Sequence, residues 1–481
     1  MSKSIAKNLG YNLLLNAVSL ILPLITMPYI SRVLGVDGVG IYNYTLSITQ
    51  YFIIFGSLGL TMYGNRQIAY TRDDKEKMSR TFWSILILRI TSTGFATVLY
   101  YLIFGNIDTY REIYMIQAIN IISAMVDISW LYIGLEDFKK TVTRNLAVKI
   151  IGVCLIFLFV KTQNDLKLYV LINVLMVLLG NLIMWVYLPG ILIKTKIRIR
   201  EIKDHLLPAV QLFIPQIAIQ VYVVIDKSMI GLLSNVEEVG LYAQAENIVK
   251  AALAMVTALG TVMLPRMSNI FANGDKEKMD SYLNASLRGV AYAAVPMFIG
   301  IACISKEFVG WFFGAGFELV TYLIMVISPI LYFIAMSNVM GVQYLLPSNR
   351  IKAFTVSVTT GAAVNVILNF LMIPPMKSLG ASIATVAAEF SVAGVQFYYL
   401  RKEIKVEFYL ESFIKYIFAS AVMAGAIRII GNIMGVGIDT TVLQGIIGTI
   451  VYIIVLILLK EKVNLMLCTA VSNRIGIRLR R

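Results

Sequence analysis

The sequence predicts an all-α integral membrane protein of about fourteen transmembrane helices: two pseudo-symmetric six-helix lobes followed by a C-terminal helix pair. Three observations carry this reading. The chain is 58% hydrophobic and only 14% charged, against about 25% charged residues in an ordinary soluble domain. Its apolar runs repeatedly reach the roughly 20 residues that a helix needs to cross a hydrocarbon core of about 30 Å. A motif near the start also returns about 200 residues later, the signature of a duplicated half.

The repeat is read from two echoes. Leu34 to Gln50, LGVDGVGIYNYTLSITQ, returns from Ser234 to Lys250 as SNVEEVGLYAQAENIVK. Val36, Val39, Gly40 and Tyr42 recur as Val236, Val239, Gly240 and Tyr242, while Asp37 and Ile41 return as Glu237 and Leu241. Each copy is a short polar turn feeding a long apolar segment. Further on, Asp74-Lys75-Glu76-Lys77-Met78 reappears as Asp275-Lys276-Glu277-Lys278-Met279, offset by 201. Two matches in order at nearly one offset argue for duplication.

Apolar runs place the spans near 9–34, 39–63, 81–104, 112–133, 143–160, 168–189, 206–232, 239–263, 283–305, 317–342, 351–373, 379–400, 409–430 and 440–459. The first run is too long for a signal peptide and lacks a small-residue cleavage site, so it reads as a span. Loops after even-numbered spans gather Lys and Arg, as in Arg66, Arg72, Lys75, Lys77 and Arg80 or Lys194, Lys196, Arg198, Arg200 and Lys203. The opposite side holds only Arg32, Arg111, Lys161, Lys167, Lys306 and Lys377. The positive-inside rule then places both termini in the cytoplasm. It also accounts for the net charge of +15 without any nucleic acid.

The organisation that follows is an N-lobe over 1–190, a basic linker over 191–205, a C-lobe over 206–400, and two further spans with a basic tail over 401–481. Each half has an even number of spans, so the copies share one orientation and relate by an axis along the membrane normal.

Polar residues inside spans are costly and face a protein interior or a water-filled cavity. Asn43, Ser47 and Gln50 form one helical stripe on span 2, and Asn247 and Lys250 occupy the equivalents of Ser47 and Gln50 on span 8. Gln216, Gln220 and Lys227 lie within about 40° of one face of span 7. With Asn12, Asn16 and Ser19 on span 1, these stripes predict a hydrophilic lumen lined by spans 1, 2, 7 and 8. Interhelical hydrogen bonding as structural glue is the bland alternative.

The ionisable residues divide further. Glu246 and Lys250 stand i, i+4, as a self-neutralising bridge or as a phosphate-contacting lysine held by a glutamate. Arg89, near the middle of span 3, is too deep to snorkel and calls for a cavity or a buried partner. Asp127 and Glu389 are candidates for a coupling proton or cation, or partners for buried bases. Lys149 and Arg288 can snorkel, and Arg32 reads as an interface anchor near the outer end of span 1. There is no Gly-Lys dipeptide and hence no P-loop, no HExxH, no GxSxG and no clustered cysteine. No catalytic residue, cofactor or metal is predicted.

Pro28 to Ile48, PYISRVLGVDGVGIYNYTLSI, resembles the signature of the polysaccharide-repeat-unit flippases of the multidrug/oligosaccharidyl-lipid/polysaccharide exporter superfamily. The matching features are Arg32-x-Leu34-Gly35 and Gly40-x-Tyr42; Asp226-Lys227, Met229-Ile230-Gly231 and Val239-Gly240-Leu241-Tyr242 look like the second-half counterpart. The resemblance implies a MATE-like fold and a carrier in the bacterial cytoplasmic membrane. It would move an undecaprenyl-diphosphate-linked oligosaccharide by alternating access for capsule, exopolysaccharide or O-antigen assembly. Arg32, Lys227 and Lys250 are then candidates to neutralise the diphosphate, with Gln50, Gln216 and Gln220 for sugar hydroxyls.

Other readings stay open: a peptidoglycan- or teichoic-acid-precursor flippase, or a cation-coupled multidrug antiporter of the same superfamily. A membrane polymerase or glycosyltransferase would need a sizeable catalytic loop, which the short loops do not supply. Anionic lipids are expected partners of the basic tail from Asn473 to Arg481, with a polysaccharide polymerase or glycosyltransferases as further candidates.

Overall fold

The computed structural model describes residues 3–465; the side chains of 3–17, 20, 214–216, 218–219, 258–266, 268, 272 and 408 are outside the description. The described chain runs as α1 (Lys3–Ser57), α2 (Leu60–Thr71), α3 (Lys75–Phe104), α4 (Arg111–Met125), α5 (Ser129–Gly134), α6 (Phe138–Phe159), α7 (Leu166–Ile183) and α8 (Ile199–Leu233). It continues as α9 (Val236–Ala272), α10 (Lys276–Phe312), α11 (Glu318–Ile327), α12 (Ile330–Ser337), α13 (Ile351–Leu400), α14 (Val406–Met434) and α15 (Ile438–Leu458). A π-helical stretch, Asn338–Leu345, follows α12.

Ten helical stretches among the described residues are long and apolar enough to cross a membrane, so this is a multi-pass membrane protein. Each of the fourteen predicted segments falls on helix. Two helices carry two predicted segments each. At 1.5 Å per residue, the 55 residues of α1 and the 50 of α13 far exceed a core of about 30 Å. Both are broken where the sequence reading changes span. The first break is at Gly35, at φ 68°, a conformation that glycine adopts without a Cβ clash. The second is at Lys377, at φ 51°, just after Pro374 and Pro375.

The repeat has a structural meaning in both echoes. Asp74 caps α3 by accepting from the backbone N–H groups of Glu76 and Lys77, and Asp275 caps α10 by accepting from that of Lys278. The echoed aspartate therefore satisfies helix-start donors that would otherwise lack partners. In the other echo, the break at Gly35 is matched by the gap between α8 and α9, where Asn235 accepts from Glu238 N–H. The two copies of that motif also meet. A Cβ on Gly40 would stand 1.9 Å from the Val236 carbonyl oxygen, and one on Gly240 would stand 2.5 Å from that of Val36. Within the first unit, these equivalent positions thus pack reciprocally.

The chain forms two compact units, Met1–Gly240 and Leu241–Arg481. In the first, α8 packs with α1, α2 and α3, and Phe82, Trp130, Tyr132 and Met184 lie in a buried cluster. In the second, Ala291, Val295, Tyr416, Tyr452 and Leu456 join α10 to α14 and α15, the pair without a counterpart in the repeat. Outside these cores large apolar side chains face outward; Phe95, Val186, Ile433 and Leu458 are all more than 70% exposed. In lipid this is the expected surface, because helices satisfy their own backbone polar groups.

Candidate functional site

The first unit contains a cavity of about 780 Å³, within the roughly 300–1,000 Å³ of ordinary ligand sites. Its walls come from α1, α2, α3, α4, α5, α7 and α8. Six carboxamides line it: Gln50, Asn65, Asn120, Asn173, Asn181 and Gln220. Each amide offers two donors and an acceptor.

Arg89 and Asp127 are the charged residues in the lining. Arg89 is 2% exposed, where a bare guanidinium would be expensive, and each of its three nitrogens donates one hydrogen bond. Nε donates to the Ala124 carbonyl at 2.7 Å, Nη1 to Thr61 Oγ1 at 2.9 Å and Nη2 to Asp127 Oδ2 at 3.3 Å. Asp127 also accepts from Ser129 N–H at 2.9 Å, which fixes the start of α5. The pair is therefore a self-neutralised strut joining α2, α3 and the end of α4.

Behind this wall lies a second layer. Asn181 donates to the carbonyl and hydroxyl of Ser123, both at 2.9 Å, and accepts from Arg144 Nη1. Arg144 itself is not among the cavity-lining residues. On the other side of Asn173 and Val177 is a smaller niche, where Lys149 donates to Ser19 at 2.6 Å.

Four of the sequence candidates, Gln50, Arg89, Asp127 and Gln220, thus share one cavity. The others lie elsewhere. Arg32 is exposed on α1, three residues before the break, and Lys227 is half-buried on α8 beside the buried Asp226. Glu246 and Lys250 form an ion pair at 2.6 Å on α9. Glu389 is buried on α13 in the second unit. The side chain of Gln216 is outside the described residues, as are those of Asn12 and Asn16 and the tail from Asn473. His205, the one histidine of the sequence, hydrogen-bonds the Tyr63 hydroxyl at 2.7 Å.

Sequence reasoning passed over Asn65, Asn120, Asn173 and Asn181. A signal was present for two of them: Asn173, Val177 and Asn181 follow one another at i, i+4, i+8, a single helical face. The predicted lumen drew on spans 1, 2, 7 and 8; of these, only spans 2 and 7 contribute described lining residues to this cavity, and the rest of its wall comes from α2, α3, α4, α5 and α7. Among the described residues, no three His, Cys, Asp or Glu side chains gather into a group that could hold a metal.

The arrangement can bind a hydroxyl-rich ligand through amide hydrogen bonds. Solved structures share the fold. A lipid II flippase MurJ in an inward closed conformation superposes with a TM-score of 0.74 at 15% identity, covering 94% of this chain and 99% of that one. A multidrug resistance MATE family transporter of the MOP superfamily, inward-facing, gives a TM-score of 0.58 at 12% identity over 80% of this chain and 98% of that one.

Among sequence relatives, the "Putative O-antigen transporter" of Escherichia coli (strain K12) is 24% identical over 83% of this chain and 97% of its own length. The "Probable low-salt glycan biosynthesis flippase Agl15" of Haloferax volcanii is 25% identical over 47% of this chain and 48% of its own. The family model described as "Polysaccharide biosynthesis protein" matches residues 5–271, more than half of the chain. The chain therefore belongs to the polysaccharide biosynthesis protein family.

Proposed function

We propose that this protein is a flippase that carries a polyprenyl-diphosphate-linked oligosaccharide across the bacterial cytoplasmic membrane. The observation that carries the reading is the amide-lined cavity set within a bundle whose exterior is apolar. A hydrated sugar diphosphate cannot enter hydrocarbon, whereas a polyprenyl tail is at home there. A polar cavity that replaces the water of the head removes the barrier without covalent chemistry, so the protein need not be an enzyme. Relatives described as an O-antigen transporter and a glycan flippase support this substrate class.

In this reading Gln50 on α1 and Gln220 on α8, together with Gln216 four residues before Gln220 in the sequence, receive sugar hydroxyls. Arg32, Lys227 and Lys250 neutralise the diphosphate, with Glu246 holding Lys250 in place. Arg89 and Asp127 shape the cavity floor, and Asp127 and Glu389 are where a coupling ion would act. The sequence halves, 1–190 and 206–400, alternate access, the linker 191–205 joins them, and 401–481 adds the helix pair and tail. Both termini are cytoplasmic. The units carried are precursors of capsule, exopolysaccharide or O-antigen, passed from glycosyltransferases to a polymerase.

Deletion of the gene in its host tests the proposal, with polyprenyl-linked intermediates and surface polymer measured. The expected result is accumulation of the completed lipid-linked unit on the cytoplasmic side and loss of polymer. Complementation with Lys227→Ala or Lys250→Ala should fail. Unchanged polymer together with greater sensitivity to cationic drugs would replace the flippase with an antiporter.

A further inference from the structure

We propose that the cavity of the first unit selects electrically neutral glycans and disfavours repeat units that bring a carboxylate sugar into it. The inference rests on the flippase reading and names the sugar class that reading leaves open.

Its basis is the balance of amides and charges. Among the described residues, Gln50, Asn65 and Gln220 make no side-chain hydrogen bond, so their amides can serve a ligand. A neutral sugar, with a donor and an acceptor on every hydroxyl, is their chemical complement. A carboxylate is acceptor-only and charged, and it loses its water on entry. It then needs a cation to replace that water.

Among the described residues that line the cavity, Arg89 is the one cation, and it is paired with Asp127. Arg89 commits Nε, Nη1 and Nη2 to Ala124, Thr61 and Asp127. Drawing it toward a ligand would leave the Asp127 carboxylate without its ion pair in a half-buried setting. Arg144 does not line the cavity; its Nη1 holds the Asn181 amide oxygen, while its Nε is buried without a hydrogen-bond partner. Lys149 belongs to the adjoining niche and is bonded to Ser19. A uronic acid in this cavity would therefore exchange water for amides alone, an exchange that favours the neutral analogue by at least about tenfold.

The test uses the full-length protein in proteoliposomes and two undecaprenyl-diphosphate trisaccharides. They are identical except that C6 of one hexose is a hydroxymethyl group or a carboxylate. Translocation is followed by the exposure of the glycan to an impermeant glycosidase. Wild-type protein should move the neutral unit at least about tenfold faster. Gln50→Arg, which places an uncommitted cation in the wall, should narrow that ratio to less than about threefold.

Equal rates, or faster passage of the acidic unit, would overturn the sugar-class inference while leaving the flippase standing. An unchanged ratio in a Gln50→Arg protein of normal melting temperature would remove the discrimination from this cavity. If neither unit crosses while a control flippase moves its own substrate in the same vesicles, the flippase reading fails and this inference fails with it. Should Gln50→Arg not fold, the wild-type ratio alone decides.

Discussion

The first unit keeps its polar groups around a cavity, whereas the second binds several of its own to one another. At the offset of 201 that relates Asp74 to Asp275, the counterpart of Arg89 is Val290. In the second unit Glu307 accepts from Arg428 at 3.0 Å and from Gln444 at 3.2 Å, which ties α10 to α14 and α15. The cavity beside them, about 440 Å³, is walled largely by residues such as Pro296, Met297, Ile301 and Met423. Duplication thus preserved what builds helices, the capping aspartates and the paired glycines, while the charged centre occurs in one copy. A repeated scaffold leaves each half free to specialise, because caps and close backbone contacts do not depend on what lines a cavity.

The shared part should be the least tolerant of change. Gly40→Ala places a methyl group against a backbone oxygen that cannot rotate away, so the helices must separate. We expect little folded protein, and a milder loss for Gly240→Ala, where the clearance is larger. Size-exclusion yield in detergent measures both. Normal yield of both variants would undo the reciprocal packing described above.

The unshared part comes next. Arg89→Ala should destabilise the first unit by about 3–5 kcal/mol, the usual cost of stripping a buried ion pair of one partner. Its counterpart Val290→Ala should cost no more than about 2 kcal/mol, the value of two methyl groups. Adding Asp127→Asn to Arg89→Ala should restore at least about 1 kcal/mol, since the two residues are coupled. Additive effects in denaturant titrations would show that the strut is not a unit. In the second half Glu307→Gln should cost about 1–3 kcal/mol, less than Arg89→Ala, because Arg428 is 32% exposed and water can solvate it.

The smallest effect concerns pH. His205, ahead of the seventh predicted span, is the one histidine in the sequence. Burial holds its imidazole below the usual range, against weaker opposing pulls from Asp204 and Glu201. The folded state thus prefers the neutral ring. Its contribution to stability is complete above the unfolded value of about 6.5 and is lost as pH falls through the lowered folded value. A melting temperature that drops modestly on acidification, and a flatter profile in His205→Gln, are the expected results. An identical profile in the variant would assign the acid sensitivity to carboxylates.

Helix positions, the membrane class and the repeat were legible in the sequence because they follow from local chemistry. Apolar run length sets a span, an aspartate three residues before a helix donor sets a cap, and an offset between identical motifs sets a duplication. The site was legible only in part. Gln50, Arg89, Asp127 and Gln220 stood out because polar groups in apolar runs are conspicuous. What Arg89 bonds to depends on Ala124, Thr61 and Asp127, which are brought to it from 28 to 38 positions away along the chain.

Only the tertiary structure decided that this arginine is committed rather than available. It also decided that Asn65, Asn120, Asn173 and Asn181 share one wall with the glutamines, and that Glu246 and Lys250 form a pair. The physical reason is that a side chain's charge is fixed by its identity, while its freedom to meet a ligand is fixed by its neighbours. Those neighbours are set by how helices pack, and in a membrane that packing rests on close contacts and hydrogen bonds rather than on hydrophobic pattern. The sequence by itself determined which stretches are apolar and long enough to span a bilayer and which short motifs recur along the chain; packing determined which of its polar groups are tied to neighbours and which face the cavity.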